Sequence, residues 1–293
     1  MTNSPVHVPV MLREVVEWLR PRDGMVLVDG TLGAGGHARA LAERVGSSGT
    51  VVALDRDPAA IAAAERNLAG LPVKVAHANF ADLPEILQQV RITGVDGIVM
   101  DLGVSSDQLA DEQRGFSFSA GGPLDLRFDP TTGKPARHLI NRLSAEHLAK
   151  LIHEYGEERH SRRIARAIVK QRRAKPIETA SELAELVRRS VPPSRGRHRI
   201  DPATRTFLAL RIAVNEELKS LEIALRRIPD CLAPKARMAI ISFHSLEDRR
   251  VKEAFLADPR MEALTAKPVR PGDKEIEANP RSRSAKLRVA ARL

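Results

Sequence analysis

The sequence predicts an α/β fold, a mostly parallel sheet flanked by helices and interrupted by a mostly helical insert. Three observations lead there. Strand-like and helix-like segments alternate over the first hundred residues, stop alternating near residue 102 and resume near residue 236. A glycine loop (Gly30, Gly33, Gly35, Gly36) joins the first strand to the first helix, and the second strand ends in an acid, Asp55. Basic charge is concentrated in the interrupted middle. A discontinuous sheet domain is therefore expected at 1–107 and 215–293, with the inserted helical domain at 108–214.

Each element has a local reason. Met25 to Val28 is an apolar run ending in Asp29, and after the glycine loop a helical pattern covers His37 to Val45. Val51 to Leu54 is the second strand. Asp57 and Pro58 open a helix to about Ala69, the first as N-cap and the second pre-set for the first turn. That leaves Asp55 to face a ligand. Val73 to Ala76 is a third strand, 77–80 a loop, Leu83 to Val90 a helix, and Val95 to Met100 a buried strand ending in Asp101. Three strand–helix units in succession predict parallel pairing with right-handed crossovers. Residues 102–135 read as loop, punctuated by Gly121-Gly122-Pro123 and Asp129-Pro130. Ser144 to about Ser190 is helical and charged, 192–202 is a proline-basic break, and one long helix is expected from Ala203 to Arg227. Ala236 to Phe243 returns to strand character. Ser245 and Asp248 have capping-box spacing before a helix over Leu246 to Leu256, and Lys286 to Ala290 reads as a final edge strand.

Strand, glycine turn, helix, strand and acid form the first half of a Rossmann-like, nucleotide-binding sheet. A dinucleotide site wants G-x-G-x-x-G with a helix N-terminus facing a pyrophosphate. Here the loop is Gly33-Ala34-Gly35-Gly36 behind Asp29, and an acid at the mouth of the first strand repels a pyrophosphate but suits a cation. S-adenosylmethionine, with its ammonium and sulfonium, is such a ligand, and Asp55 is placed to accept hydrogen bonds from its ribose hydroxyls. Three alternatives remain: a tight turn without ligand, a nicotinamide-dependent oxidoreductase, and a non-catalytic RNA-binding assembly factor on a degenerate methyltransferase fold. The glycine spacing and Asp29 disfavour the second; the intact loop, Asp55 and Asp101 disfavour the third.

The net charge of +10 is uneven. Residues 1–107 carry 9 basic and 13 acidic side chains, 108–214 carry 21 and 12, and 215–293 carry 17 and 12. A basic middle beside an acidic cofactor half suggests a polyanionic partner, nucleic acid first; arginine-rich codon usage gives the same composition. The single cysteine, Cys231, excludes a disulfide framework and a cysteine metal site. No apolar run is long enough to span a membrane, and the N-terminus lacks the pattern of a secretory signal, so the cytoplasm is expected.

The fourth strand delivers Asp101 and then Leu102-Gly103-Val104-Ser105-Ser106 to the edge where open α/β sheets bind ligands. A carboxylate there suits an attacking amine, whose developing positive charge and proton it accepts; a turn-capping Asp101 and a helix-capping Ser105 are the structural alternatives. His244, after the last long strand, is placed for a base or phosphodiester contact or for packing, and His37 for the cofactor or a cap. Arg114, Phe116 and Phe118 suit base stacking and phosphate contact, or anchor their loop to the core. The arginines of 162–175 (Arg162, Arg163, Arg166, Arg172, Arg173) form a candidate phosphate-contacting face, or a solvated one.

With these residues assembled, the chain resembles the bacterial 16S ribosomal RNA cytidine-N4 methyltransferase family. The matching stretches include DGTLGAGGHARA (29–40), ALDRDPAAI (53–61), DGIVMDLGVSSDQL (96–109), RGFSFSAGGPLDLRFD (114–129), YGEERHSRRIARAIV (155–169), ISFHSLEDRRVK (241–252) and NPRSRSAKLRVA (279–290), and together they cover almost the whole chain. The resemblance implies that Gly35, Gly36 and His37 contact S-adenosylmethionine, Asp55 its ribose and Phe80 its adenine, while Asp101 and Gln108 surround the methionine part. It implies methyl transfer to a cytidine N4 in 16S ribosomal RNA within the small subunit, with Asp101, Ser105 and His244 as candidate catalytic residues and no metal. The sequence leaves a homodimer open. Ala110, Leu124 to Phe128, Leu208 and a short segment after Phe255 depart from the family pattern, all on the substrate side.

Overall fold

A computed structural model describes residues 9–118, 121–192 and 201–293. The chain divides into two compact units, Met1–Gly103 with Leu218–Leu293, and Val104–Glu217. The first break precedes residue 107 because Val104 packs on the second unit's own core. The second follows residue 214 because Asn215 is bonded within that unit: its Nδ2 donates to Leu126 O at 2.7 Å, and its Oδ1 accepts from Phe128 N at 2.7 Å.

The first unit is built on a seven-stranded sheet: β1 (Val26–Asp29), β2 (Thr50–Asp55), β3 (Val73–His77), β4 (Val95–Asp101), β5 (Leu232–Ser242), β6 (Met261–Ala263) and β7 (Lys286–Arg292). Their spatial order is β3-β2-β1-β4-β5-β7-β6. The first five are parallel, β7 runs antiparallel to β5, and β6 runs antiparallel to β7. Helices cover both faces, which is why these strands read as continuous apolar runs. On β1, Leu27 packs with Met11, Val15 and Leu41 on one face, whereas Val28 packs with Met100, Leu221 and Ile240 on the other.

Four expectations are corrected. The strand at 286–292 is interior, because the three-residue β6, too short for a sequence signal, pairs along it and takes the edge. The helix expected over Ala203 to Arg227 is two, Ala203–Asn215 and Glu217–Arg227, broken where Glu216 adopts the left-handed conformation at φ 49°. Ser245 is not an N-cap: the helix Ser245–Ala257 has His244 in the cap position without a side-chain bond, and Asp248 instead pairs with Arg288 at 2.6 Å and Lys286 at 3.1 Å. The stretch 102–135 contains a short helix, Ser106–Ala110. Sequence periodicity also passed over the helices Leu12–Leu19 and Ala136–Arg142.

The second unit packs Ala136–Arg142, Ala145–Gly156, Ser161–Ala174, Ala180–Ser190 and Ala203–Asn215 around Leu124, Ile140, Leu148, Ile164, Ile168, Leu183 and Leu210. Thr179 and Glu182 close a capping box at the start of the fourth of these helices. The Arg114–Phe118 loop is anchored inward. Arg114 is buried and donates through Nη2 to Arg127 O (2.9 Å) and Phe128 O (2.8 Å). Phe116 stacks on Phe128 at 5.8 Å, and Phe118 packs against Phe207 at 5.2 Å. These contacts favour the anchoring alternative over base stacking. The proline-basic stretch at 193–200 lies outside the described residues.

Candidate active site

The strand order reverses between β1 and β4: β1 leads outward to β2 and β3 on one side, and β4 to β5 on the other. In open α/β sheets that switch point, at the carboxyl ends of the strands, is where ligands bind. The ends of β1, β2 and β4 are Asp29, Asp55 and Asp101, so three carboxylates meet one sheet edge. The glycine loop crosses in front of them. Gly35 occupies the N-cap of the helix Gly36–Val45 at φ 85°, a conformation that favours glycine. Gly36 has no room for a side chain, since an added Cβ would stand 2.4 Å from Pro9 Cγ.

Asp55 holds this loop in place. Its Oδ2 accepts from Gly33 N at 2.7 Å and its Oδ1 from Asp57 N at 2.9 Å, which ties the end of β2 to the glycine turn. Each carboxylate oxygen retains a lone pair for a ribose hydroxyl. Burial raises the Asp55 pKa, with the amides of Asp57 and Gly33 opposing that rise. Asp57 has the capping job expected of it, accepting from Ala59 N at 3.0 Å. His37 is buried, and its Nε2 lies 3.0 Å from Val10 O, so the ring is bound to the chain's own N-terminal segment. Phe80 opens a 3-10 turn that Asn79 caps by accepting from Ala81 N. Its Cβ lies 3.3 Å from where a Cβ on Gly30 would be, so the ring's base flanks the glycine loop.

The two inner carboxylates are the most perturbed groups of the site. Asp29 is fully buried; its Oδ1 accepts from Thr31 N at 3.1 Å, and its Oδ2 has no hydrogen-bond partner among the described residues. Burial pushes its pKa up to about 7, the amides of Thr31 and Ala38 pull it down, and the charge of Asp55 adds to the rise. Asp101 is half-buried as a residue, but its Oδ1 is wholly enclosed and has no hydrogen-bond partner among the described residues. Burial drives its pKa to about 8, with Arg281 opposing and Asp29, Glu247 and Glu275 adding to the rise. An enclosed carboxylate with an open oxygen costs free energy unless a cation or donor reaches it. Two such oxygens beside a glycine loop fit a cationic, ribose-bearing ligand.

His244 follows β5, the neighbour of β4, and so shares the edge with Asp101. Glu247, on the next helical turn, was missed in the sequence because Ser245 and Asp248 offered the more familiar capping pattern. Its Oε2 accepts from Phe243 N at 2.9 Å and its Oε1 stands 3.1 Å from His244 Nε2. That contact is close but badly directed, and neither ring nitrogen of His244 completes a hydrogen bond. The two atoms are near neighbours without a completed hydrogen bond.

Ser105 and Gln108 belong to the second unit. They form a reciprocal capping box at the start of the helix Ser106–Ala110: Gln108 N donates to Ser105 Oγ at 3.1 Å, and Ser105 N to Gln108 Oε1 at 3.0 Å. Both side chains therefore have a structural role, which fixes the turn immediately after the Asp101 motif. The signal was present in the sequence as Ser three residues before Gln.

The chain is 48% identical to "Ribosomal RNA small subunit methyltransferase H" of Thermomicrobium roseum, over 99% of this chain and 94% of that one. It is 49% identical to the protein of the same name from Rhodopirellula baltica, over 98% and 91%, and 50% identical to that of Synechococcus elongatus, over 98% and 95%. The profile of the MraW methylase family matches residues 4–293, and with the glycine loop and its three carboxylates at one sheet edge, the chain belongs to that family.

Proposed function

We propose that the protein transfers a methyl group from S-adenosylmethionine to the N4 amine of a cytidine in 16S ribosomal RNA, in the cytoplasm and within the small subunit. One observation carries the reading: two enclosed carboxylates, each with an oxygen that has no partner among the described residues, meet the glycine loop and Asp55 at the switch point. S-adenosylmethionine supplies an electrophilic methyl on a sulfonium. Gly35, Gly36 and His37 shape the loop that receives the cofactor, Asp55 accepts from the ribose, and Phe80 flanks the adenine. Asp29 and Asp101 offset positive charge.

The cytidine amine is a poor nucleophile, because its lone pair is delocalised into the ring, and it must be positioned for in-line attack. Asp101 accepts a hydrogen bond from it and stabilises the charge it develops. Ser105 and His244 are the further candidates for the proton. A covalent ring adduct would need a thiol at this edge. The single cysteine, Cys231, precedes β5 in the 3-10 turn Ile228–Cys231, at the end of that strand opposite to Phe243 and His244. The insert expected at 108–214 recognises the RNA. On its helix Ser161–Ala174 the apolar Ile164, Ala165 and Ile168 are buried, while Arg162, Arg163 and Arg166 are exposed and form no ion pair among the described residues.

The test is methyl transfer from labelled S-adenosylmethionine to small subunits or 16S ribosomal RNA that lack the modification, followed by nucleoside analysis. The expected product is N4-methylcytidine. Label on a ring carbon, a ribose oxygen or another base would refute the assignment.

A further inference from the structure

We infer that Asp29, with Asp101, makes the site select the charged methyl donor over its uncharged by-product, by giving up a proton when the donor binds. The inference rests on the cofactor reading above and adds a proton balance to it. The two carboxylates end neighbouring strands, β1 and β4, where Asp29 lies opposite Val99. Thr31 ties them together: its amide donates to Asp29 Oδ1 at 3.1 Å, and its hydroxyl accepts from Asp101 N at 2.6 Å. Each presents one enclosed oxygen that has no hydrogen-bond partner among the described residues.

Among the described residues the surroundings are short of positive charge. Asp55 bears on Asp29, and Glu247 and Glu275 bear on Asp101, all of the same sign; Arg281 is the cation that opposes them. Two buried carboxylates in such a setting do not both ionise at neutral pH. Their raised pKa values, about 7 and about 8, agree with that. Without a ligand the pair therefore holds protons that solvent-exposed aspartates would have lost.

The donor brings a sulfonium and an ammonium against one carboxylate, and so carries a net positive charge. S-adenosylhomocysteine has no sulfonium and no net charge. When the donor enters, a proton leaves the carboxyl pair for solvent and the carboxylate faces the cation. When the methyl leaves, the sulfur becomes a neutral thioether, the buried carboxylate loses its partner and takes a proton back. The by-product is then held more weakly than the donor, and the preference for the donor widens as pH rises towards the carboxyl pKa values.

Isothermal titration of the full chain with each ligand tests this, in buffers of different ionisation enthalpy. Between about pH 5.5 and 7 the donor should release roughly one proton more than S-adenosylhomocysteine, and its Kd should tighten by up to about tenfold per pH unit while that of the by-product stays flat. Asp29→Asn, checked for folding by circular dichroism, should lower the proton release and shrink the donor-to-by-product affinity ratio. Asp101→Asn provides a second, separate variant with the same expected direction. Donor binding with no buffer dependence, or equal proton release for the two ligands, overturns the inference and leaves the cofactor reading intact. Failure of the wild-type protein to bind either ligand overturns both.

Discussion

Replacing Asp55 separates two jobs that the structure assigns to one carboxylate. The side chain accepts from Gly33 N and from Asp57 N, and in the proposed complex it also accepts from the ribose. Asp55→Ala leaves both amides without their acceptor at a largely enclosed position. At about 1–3 kcal/mol for each unsatisfied donor, roughly 2–4 kcal/mol of folding stability should be lost once water partly compensates. Loss of the charge-assisted ribose bonds should weaken S-adenosylmethionine binding by a further 1.5–3 kcal/mol or so, roughly 10–150-fold. Asp55→Asn keeps one acceptor oxygen and should fall between wild type and alanine on both scales. Thermal melts report the first quantity. Calorimetric titration of the folded variant reports the second. If folded Asp55→Ala binds the cofactor with wild-type affinity, the ribose contact is wrong and Asp55 serves the loop alone.

Asp101→Asn preserves shape and removes charge, so at saturating cofactor it should lower kcat far more than it weakens RNA binding; a normal rate would move the proton acceptor to His244 or Ser105. A carboxyl raised to about 8 is protonated below that pH and ionised above it, so kcat/KM should climb as pH rises through that region. Asp101→Asn should lose this limb, and a limb that survives in the variant belongs to another group. Reversing Arg162, Arg163 and Arg166 together should flatten the salt dependence of RNA affinity, measured by filter binding, with cofactor binding unchanged; an unaltered slope makes that helix a solvated face. Asn215 is 2% exposed and bonds Leu126 O, Arg211 O and Phe128 N. Asn215→Ala should therefore cost about 3 kcal/mol or more in urea unfolding of the unit that holds it, and a loss below about 1 kcal/mol would mean that water replaces those bonds.

The sequence alone determined what depends on neighbours in the chain. The period of the apolar runs set β1 to β4 in place, Asp57 and Pro58 set the start of a helix, and the glycine spacing with Asp29 and Asp55 set the ligand class. These are local signals, each carried by a few consecutive residues. Tertiary structure decided the rest. Whether 286–292 lies at the sheet edge depends on a three-residue partner some twenty residues away, and pairing over that distance leaves no period to read. The break at Glu216 is a single left-handed residue within a continuous apolar pattern. The sequence left Arg114, Phe116 and Phe118 open between base stacking and anchoring of their loop, and the contacts of the two rings with Phe128 and Phe207 favour anchoring. The upward pKa shift of Asp29 and Asp101 is likewise invisible in sequence, where both are ordinary aspartates. It follows from burial and from the like charges that folding gathers around them, because desolvation acts on the assembled site and not on a residue type.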